Sequence, residues 1–444
     1  MRDAVPSNEA RKNYFAFAAL IAISVLVRLA IIAHFRERAS YDTPGFMLTA
    51  DAIRTGDFSR YDGRRTPIYP LLLILAGMDW TVVRLVQCAL GVAIGAMMFA
   101  VAWYRTGSRV TSFVAGLLGS LMISELLYEQ ILYSETLCTF FIALAMLAYA
   151  RIDKDGGARM PNYAILGIAA AFAGMTRPMF LYLAPLLLCF PLIRARFRVA
   201  LGLVLAPTLV LALGWSAFNA HTLDYFGVTT TTGFNLSNHS GGFMELAPPQ
   251  YSQIADIYLR YRPYQIDRMG SHTMTIWIAE GAIRRATGLS TPELSRVLTR
   301  MSLEMFAEHP LLYLESVVRA WLRFWGFGFF DFVTAYRDSA GRLGYAMVVL
   351  LGTFQLAINV AFLIIAAVLL ARWIRARISF DFDLAMIMIV LTGAIVQAFM
   401  EYGENVRYLA PLAPLIAYVV ARFALGGPKA HRRTIKSILG GGFR

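Results

Sequence analysis

The sequence predicts an all-α polytopic membrane protein, a bundle of about ten transmembrane helices with further helices lying on the membrane surface. Hydrophobic residues fill 58% of the 444 positions, charged residues only 16%, and the mean hydropathy is +0.57. A soluble domain averages about 45–50% apolar and about 25% charged residues. The apolar residues also lie in long blocks. Helices are the expected structure for such blocks, because hydrocarbon offers no partner to backbone polar groups.

About ten apolar blocks are candidates for membrane spans, since crossing a bilayer takes about 20 apolar residues. Their approximate limits are 14–34, 80–104, 110–130, 133–151, 161–175, 179–193, 199–218, 343–371, 383–400 and 408–425. The fifth and sixth blocks are short and meet at Thr176-Arg177-Pro178. Proline disfavours a helical conformation in the residue before it, so these two blocks are predicted to form a hairpin.

Basic residues predict which side of the membrane each loop faces. Short hydrophilic segments rich in Arg and Lys lie at 11–12, 105–109, 151–159, 194–198, 372–377 and 429–436. Because such segments stay in the cytoplasm, both termini are predicted to be cytoplasmic. The net charge of +13 is then explained by these segments facing anionic lipid rather than by nucleic-acid binding. The external side would carry 35–79, 176–178, 219–342 and 401–407.

This topology divides the chain into three parts. Residues 1–218 would form an N-terminal membrane module of seven spans, with the external loop 35–79 as the candidate for function. Residues 219–342 would form one large external region, which ends in an interfacial helix at 309–330. Residues 343–444 would contain the last spans and a basic cytoplasmic tail.

The loop 35–79 departs from the charge rule, because it is rich in arginine and is nevertheless predicted to be external. Its arginines are Arg36, Arg38, Arg54, Arg60, Arg64 and Arg65. Thr43-Pro44 is a helix-start signal and Gly56 a helix end, which predicts a short surface helix. A second helix is predicted to start at Thr66-Pro67. The retained positive charge indicates a function in the loop.

Asp42 is the first candidate for chemistry, because it precedes the predicted surface helix at the membrane rim. An ionised carboxylate there would be able to take a proton from a hydroxyl group. The alternative is a simple helix cap. Arg64 and Arg65 precede the second helix, where two guanidiniums and free backbone N–H groups suit a lipid phosphate. Their alternative is ordinary snorkelling at the interface.

Further candidates lie where other spans meet the external side. Glu135 starts the fourth span, at a position where an acid is costly and often functional. Arg177 lies in the hairpin turn, and Arg407 and Tyr408 open the last span. Each arginine is placed to contact a phosphate or a sugar, or simply to pair with a neighbouring acid.

Several classes of function lack their sequence signature. There is no GxSxG, no GxxxxGK[ST] and no GxGxxG before a helix, so a nucleotide-driven or nucleotide-sugar enzyme is not indicated. The histidines of the external region have no zinc-site spacing: they are His221, His239, His272 and His309. No cofactor is indicated, and a divalent cation stays open.

A series of short motifs resembles the GT-C glycosyltransferases, the polytopic enzymes that use polyprenyl-phosphate sugars, such as protein O-mannosyltransferases and the aminoarabinose transferase of lipid A. The motifs are Tyr41-Asp42, Ala50-Asp51-Ala52-Ile53-Arg54-Thr55-Gly56, Arg64-Arg65-Thr66-Pro67-Ile68-Tyr69-Pro70, Tyr133-Ser134-Glu135, Thr176-Arg177-Pro178, His309-Pro310-Leu311-Leu312-Tyr313-Leu314 and Arg407-Tyr408-Leu409-Ala410-Pro411. Their order along residues 14–425 is that of the family. The chain departs from it in having Tyr41, not a second acid, beside Asp42.

The resemblance implies an inverting glycosyltransferase in a bacterial inner membrane, with its active site on the periplasmic side. Asp42 would be the catalytic base. The substrate-binding residues would be Tyr41, Asp51, Arg64, Arg65, Tyr69, Glu135, Arg177, Arg407 and Tyr408. The partners would be the lipid bilayer, a polyprenyl-phosphate-linked sugar donor and a glycan, lipid or protein acceptor. The resemblance leaves the sugar and the acceptor open.

Two other functions fit a polytopic chain of this kind. A lipid-linked saccharide flippase or transporter would place polar groups near the membrane midplane. Here most ionisable residues gather at the ends of the spans, with Arg28 in the first span as the exception. An O-antigen-type polymerase or ligase would depend on loop residues such as His239 or Arg262 rather than on Asp42.

Overall fold

The computed structural model describes residues 8–35, 39–326 and 330–426. Arg36, Arg38 and the predicted basic tail lie outside these residues. Within them, eight helical segments are long and apolar enough to cross a membrane: Lys12–His34, Trp80–Thr106, Arg109–Tyr128, Glu135–Lys154, Phe197–Leu223, Gly344–Ile374, Phe382–Met400 and Asn405–Leu425. Met160–Thr176 and Pro178–Leu188 are shorter apolar helical segments, as expected for the predicted hairpin. The all-α polytopic prediction is confirmed.

The α-helices are numbered here along the chain. They are α1 (Asn8–His34), α2 (Thr43–Thr55), α3 (Ile68–Leu75), α4 (Trp80–Thr106), α5 (Arg109–Leu121), α6 (Ile123–Tyr128), α7 (Glu135–Lys154), α8 (Met160–Thr176), α9 (Leu183–Leu188), α10 (Pro191–Arg194), α11 (Phe197–Ala200), α12 (Ala206–Leu223), α13 (Thr232–Ser240), α14 (Ser252–Met269), α15 (Thr275–Thr287), α16 (Thr291–Glu308), α17 (Pro310–Phe324), α18 (Phe330–Ile374), α19 (Phe382–Met400), α20 (Asn405–Leu409) and α21 (Ala413–Leu425). Short 3₁₀ segments lie at Pro178–Tyr182, Gly241–Leu246, Pro249–Tyr251 and Ala410–Leu412, and Leu201–Leu205 is π-helical.

Local sequence signals set the ends of several helices. The Asp79 carboxylate accepts hydrogen bonds from the Thr81 and Val82 backbone N–H groups at 2.8 and 3.2 Å, which starts α4. Gly107 ends α4 at a φ of +61°. The third span breaks at Met122, between α5 and α6. There the Ser124 N–H donates to Gln355 Oε1 of α18 at 3.2 Å, so this backbone group keeps a partner.

The main apolar core lies between α4, α5, α7, α8, α19 and α21. One of the charged groups buried in the bundle is Arg28 of α1, which is 2% exposed and forms an ion pair with Glu129. Arg28 also donates to Ser120 Oγ and to the Ser120 carbonyl at 3.0 and 2.9 Å. This arginine therefore has a buried protein partner rather than lying at the membrane surface.

Gly91 makes room for this buried ion pair, and its replacement by alanine is expected to destabilise the bundle. A Cβ at position 91 would overlap both the Glu129 carboxylate and the Arg28 guanidinium. Overpacking alone costs about 1–3 kcal/mol, and disturbing a buried pair adds to it. We expect G91A to lower the thermal unfolding midpoint in detergent. The matched control is G214A, because a Cβ at Gly214 would meet nothing within 4 Å. Equal midpoints for the two variants would contradict this account.

Helices α13 to α17 form a separate layer with its own apolar core, which we call the α13–α17 layer. Fully buried members of that core include Phe234, Ile276 and Leu298. Helix α17, inside the predicted interfacial segment 309–330, exposes an apolar stripe of Leu311, Leu314, Val318 and Leu322. An exposed apolar stripe is what a helix lying on a membrane needs.

Two histidines are enclosed in the α13–α17 layer. Ser316 Oγ donates its proton to the Tyr313 carbonyl at 2.7 Å, so His239 Nδ1 must be the donor in its 2.7 Å contact with Ser316 Oγ. The Nε2 atoms of His239 and His272 are buried without a hydrogen-bond partner. Burial lowers the pKa of His239 to about 3 and that of His272 to about 4. Both imidazoles are therefore neutral at pH 7.

Acidification is expected to destabilise the protein through these histidines. In the unfolded chain they protonate near the ordinary pKa of 6.5, whereas in the folded chain they stay neutral to much lower pH. The unfolded state therefore binds more protons below about pH 6.5, so stability is lost as pH falls, by up to about 1.4 kcal/mol per pH unit for each histidine. Between pH 7 and pH 5 the thermal midpoint of the wild type should fall relative to that of H239Q, because the two proteins share every other titrating group. H221Q is the control, because His221 is exposed. An unchanged pH dependence in H239Q would refute the assignment.

Candidate functional site

Five separated segments bring charged side chains together at one end of the bundle, which we call the Asp42 end. They are the start of α2, the loop before α3, the start of α7, the end of α8 and the start of α20. Their charged residues are Asp42, Arg65, Glu135, Arg177, Glu404 and Arg407. The opposite end holds Arg105, which pairs with Asp153, and Arg422 beside Asp383.

Asp42 is held between two guanidiniums. Its Oδ1 accepts from Arg65 Nη2 and its Oδ2 from Arg407 Nη2, both at 2.6 Å. Asp42 is the N-cap residue of α2, but its side chain makes no capping hydrogen bond. Burial by itself would raise the pKa of Asp42, and the charges and hydrogen bonds of Arg407 and Arg65 outweigh it and hold the pKa well below its usual range. In this state the carboxylate is ionised and a poor base.

Glu135 joins the two remaining arginines. It is fully buried at the first turn of α7, and its Oε1 accepts from both Arg177 and Arg407. Its Oε2 is buried with no hydrogen-bond partner. Arg407 also pairs with Glu404 at 2.8 Å. A single guanidinium thus bridges Asp42, Glu135 and Glu404, which its planar fork of donors permits.

Aromatic rings cover each of the three guanidiniums. The Arg407 Cζ lies 4.0 Å from the centre of the Tyr133 ring, and the Arg177 Cζ lies 4.7 Å from that of Tyr408. Arg65 lies 4.7 Å from the ring centre of Phe46 on α2. Guanidiniums stacked on aromatic rings gain from the ring quadrupole and keep their edges for hydrogen bonds. The rings therefore help to hold the donors of the cluster in place.

The charges of the cluster balance. Arg65, Arg177 and Arg407 supply three positive charges, and Asp42, Glu135 and Glu404 supply three negative charges. An anionic ligand can bind these guanidiniums in two ways. It can replace one of the carboxylates, or it can bind beside all three and give the site a net negative charge. Asp42 and Glu404 are easier to displace than Glu135, because both are part-exposed while Glu135 is fully enclosed, and Asp42 is the one that occupies two guanidiniums.

Arg64 points away from this cluster although it neighbours Arg65. It pairs with Glu280 of α15 and with Asp62 at 3.1 Å, and its guanidinium lies 5.4 and 5.6 Å from the rings of Phe234 and Trp277. The adjoining backbone is tied to the same layer, since the Thr230 N–H donates to the Gly63 carbonyl at 3.0 Å. Arg64 thus attaches the α2–α3 loop to the α13–α17 layer.

Three more predicted substrate-binding residues lie outside the cluster. Asp51 is exposed and pairs with Arg54 at 2.7 Å. Tyr69 is fully buried and donates to Gln87 Oε1 at 2.8 Å. Tyr41 is 78% exposed beside Asp42, and Arg268 donates to its hydroxyl at 3.2 Å. The structure brings together Asp42, Arg65, Glu135, Arg177, Arg407 and Tyr408, and it does not bring these three to them.

Two members of the cluster were not among the predicted site residues. Glu404 precedes Arg407 by three positions, a spacing that allows a pair on one helical turn. Tyr133 lies two residues before Glu135. Both adjoin predicted residues, so proximity along the chain was the available signal. Among the described residues, no group of three His, Cys, Asp or Glu side chains is arranged to hold a metal ion.

An apolar groove adjoins the cluster. It is lined by Pro67, Ile68, Met175, Val210, Leu211, Gly214 and Trp215, with a volume of about 170 Å³. Pro67 follows Arg65 by two residues and Met175 precedes Arg177 by two, while Thr66 Oγ1 donates to the Thr176 carbonyl at 3.4 Å. The groove therefore adjoins the backbone that carries Arg65 and Arg177, and the Val210 side chain that lines it is exposed.

The fold and the site together define a polytopic membrane protein with a cluster of arginines and carboxylates at one end of its helix bundle, beside an apolar groove. Among solved structures, the chain is similar to the crystal structure of ArnT from Cupriavidus metallidurans bound to undecaprenyl phosphate. The likeness covers 94% of this chain and 79% of that one, at 14% sequence identity and a TM-score of 0.38.

No family model matches the chain, and no curated protein matches it.

Proposed function

We propose that this chain is an inverting GT-C-type glycosyltransferase of a bacterial inner membrane. It would move a sugar from a polyprenyl-phosphate donor to a hydroxyl of a lipid, glycan or protein acceptor on the periplasmic face. The observation that carries this proposal is that Asp42 contacts the Arg65 and Arg407 guanidiniums, with Arg177 joined to them through Glu135, beside an apolar groove. The reaction needs a site for the donor phosphate, a site for the long apolar tail of the donor, and a general base.

The cluster supports a phosphate site with a tail site next to it. Arg65, Arg177 and Arg407 present charge-assisted donors, which bind phosphate oxygens more strongly than neutral donors do. The groove from Pro67 to Trp215 adjoins them and would take the first isoprene units of the donor. A donor held in this way enters from the bilayer, so no nucleotide-binding domain is needed.

The charge balance supports an order of events. Donor phosphate would replace Asp42 on Arg65 and Arg407, and the freed carboxylate would regain ordinary basicity as its two counter-charges turn to phosphate. Asp42 would then take the proton of the acceptor hydroxyl while the acceptor oxygen attacks the anomeric carbon. The bond from that carbon to the phosphate oxygen breaks, and polyprenyl phosphate leaves with the electron pair. The arginines stabilise the leaving phosphate, which needs no proton.

The remaining predicted residues receive roles that follow from their positions. Glu135 would orient Arg177 and Arg407, because both contact its Oε1. The Tyr408 ring would stack on the Arg177 guanidinium and hold it in place. Tyr41 is exposed next to Asp42 and would meet the acceptor, whereas Asp51, Arg64 and Tyr69 would shape the loop and its attachments. In the proposed single displacement no side chain forms a covalent bond with the sugar, so the anomeric configuration is inverted.

The same proposal includes the topology and its parts. It includes the membrane module 1–218, the external region 219–342 and the C-terminal part 343–444, and the alternation of helices between the two ends of the bundle supports this division. That alternation puts the Asp42 end opposite the basic loops near Arg105 and Arg109. If these loops are cytoplasmic, the cluster lies on the periplasmic side.

Reconstituted protein tests the proposal against its alternatives. Proteoliposomes would receive a labelled polyprenyl-phosphate sugar and a lipid and glycan extract of the host envelope, and label would be followed into product and across the bilayer. Transfer that releases polyprenyl phosphate is expected. Movement of label across the bilayer without a covalent product would favour the flippase. Transfer that depends on His239 or Arg262 and survives loss of Asp42 would favour a polymerase or ligase.

A further inference from the structure

The loop that leads to Arg407 is joined to the α13–α17 layer by one amide side chain. Asn238 Nδ2 donates to Glu401 Oε1 at 2.8 Å, and Asn238 Oδ1 accepts from the Met274 N–H at 3.0 Å. Met274 adopts a left-handed conformation with a φ of +68°, which is uncommon for a residue with a side chain. Such a conformation persists where neighbouring contacts over-determine it. Asn238 therefore links α13, α15 and the end of α19 at one point.

Glu401 begins the loop 401–405, which connects α19 to α20. Its carbonyl accepts from Gln397 Nε2 at 3.1 Å and from Asn405 Nδ2 at 3.0 Å, so the loop is closed on itself. The Tyr402 ring stacks on the His239 ring, with 5.7 Å between the two ring centres. The Arg323 Cζ lies 4.8 Å from the centre of the Tyr402 ring. Two residues beyond Asn405, Arg407 enters the ionic cluster. The position of Arg407 thus depends on how this loop is held.

Among the residues that the structure describes, no cation forms an ion pair with the Glu401 carboxyl. It is 5% exposed, and its hydrogen-bond partner Asn238 is neutral. Burial raises the pKa of Glu401 to about 8, with the Asn238 hydrogen bond and the charges of Arg407 and Arg177 opposing that rise and Glu404 adding to it. The titratable or charged groups around it are Arg177, Glu404, Arg407 and Tyr408 at the cluster, His239 of α13, His272 before α15 and Arg323 of α17.

We propose that Glu401 is a positioning residue that, in its neutral form, holds the loop 401–405 and so keeps Arg407 in place for donor phosphate. The role of Arg407 in this statement rests on the proposed function. An ionised Glu401 would need a counter-charge, and the cations near it are Arg407 and Arg177, which already serve Asp42 and Glu135. Ionisation would therefore draw Arg407 out of the cluster or admit water and loosen the loop.

Glu401→Gln tests the proposal because glutamine copies the neutral acid and cannot ionise. Infrared titration of the protein in nanodiscs should show a carboxylic C=O band that disappears near pH 8 in the wild type and is missing from E401Q. Affinity for polyprenyl phosphate should fall about tenfold per pH unit above that midpoint in the wild type, because only the neutral form is competent. E401Q should bind equally well from pH 7.5 to pH 9.5. E308Q is the matched control and should behave like the wild type, since Glu308 is exposed on α16.

Two results would overturn the proposal: a Glu401 already ionised at pH 7, or the same pH dependence of binding in E401Q and the wild type. If the wild type binds no polyprenyl phosphate at any pH, the proposed function fails, and amide exchange at 401–407 decides the role of Glu401 separately. Exchange above pH 8 that is faster in the wild type than in E401Q would support the positioning role. Equal exchange would exclude it.

Discussion

Replacing Asp42 with asparagine is expected to reduce sugar transfer by about 10²- to 10⁴-fold, the usual contribution of a general base. Donor binding should be unchanged or tighter. In the wild type Asp42 occupies Arg65 and Arg407 through two hydrogen bonds of 2.6 Å, so a donor phosphate must displace it. Asparagine keeps the shape but lacks the charge, so the phosphate meets a weaker competitor. The opposite changes in turnover and affinity distinguish a base from a residue that only binds donor.

The measurements are single-turnover transfer in proteoliposomes and binding of polyprenyl phosphate to the same preparation. D51N is the matched control, because Asp51 lies on the same helix, is exposed and pairs only with Arg54 in the described contacts. D51N should retain both transfer and binding. Because D42N leaves the cluster with one excess positive charge, its thermal midpoint should be recorded as well. Near-normal transfer by a folded D42N would remove Asp42 from the role of base.

Replacing Arg407 with lysine is expected to weaken donor binding by about 30-fold or more, which corresponds to about 2 kcal/mol. Arg407 contacts Asp42, Glu135 and Glu404 through different nitrogens, and it stacks on Tyr133. Lysine keeps the charge but offers a single point of contact on a flexible stem. Lysine would neutralise the charge of the buried Glu135 carboxylate less completely than arginine does, so the thermal midpoint should also fall.

R422K serves as the control for Arg407→Lys. Arg422 lies near the end of α21, at the opposite end of the bundle, with its Nε 3.7 Å from Asp383 Oδ2. The same substitution there should leave binding of polyprenyl phosphate unchanged. Binding by R407K that equals the wild type would mean that Arg407 has only a structural role. The phosphate site would then have to be sought at Arg65 and Arg177 alone.

The membrane fold was largely predictable because its signals are local. Each span needs a sufficient length of apolar residues, and Met160–Thr176 and Pro178–Leu188 are short in the structure as in the prediction. The surface helix α2 begins at the Thr43-Pro44 signal and ends at Gly56, with a φ of +73°. The break at Met122 was not predicted, because its compensating partner, Gln355, lies 231 residues away from Ser124.

The candidate site was predictable only in part. Asp42, Arg65, Glu135, Arg177 and Arg407 could be selected because charged residues at span ends are costly and therefore informative. Which of them meet was not predictable. Arg64 and Arg65 are adjacent and chemically equal, yet one pairs with Glu280 and the other with Asp42. Their side chains leave the backbone in different directions, and only the packed loop decides where each direction leads.

By itself, the sequence determined that this chain crosses a membrane many times and that its uncommon charges gather near the ends of spans. Hydrophobicity, charge bias and helix-end signals act over a few residues, so they can be read locally. Only the tertiary structure decided that Arg407 bridges Asp42, Glu135 and Glu404, and that Asn238 donates a hydrogen bond to Glu401 in the loop before it. The physical reason is that the energy of an ion pair depends on the distance between the charges and on their burial. Both depend on how residues far apart in the chain pack together, and Asp42 and Arg407 are 365 positions apart.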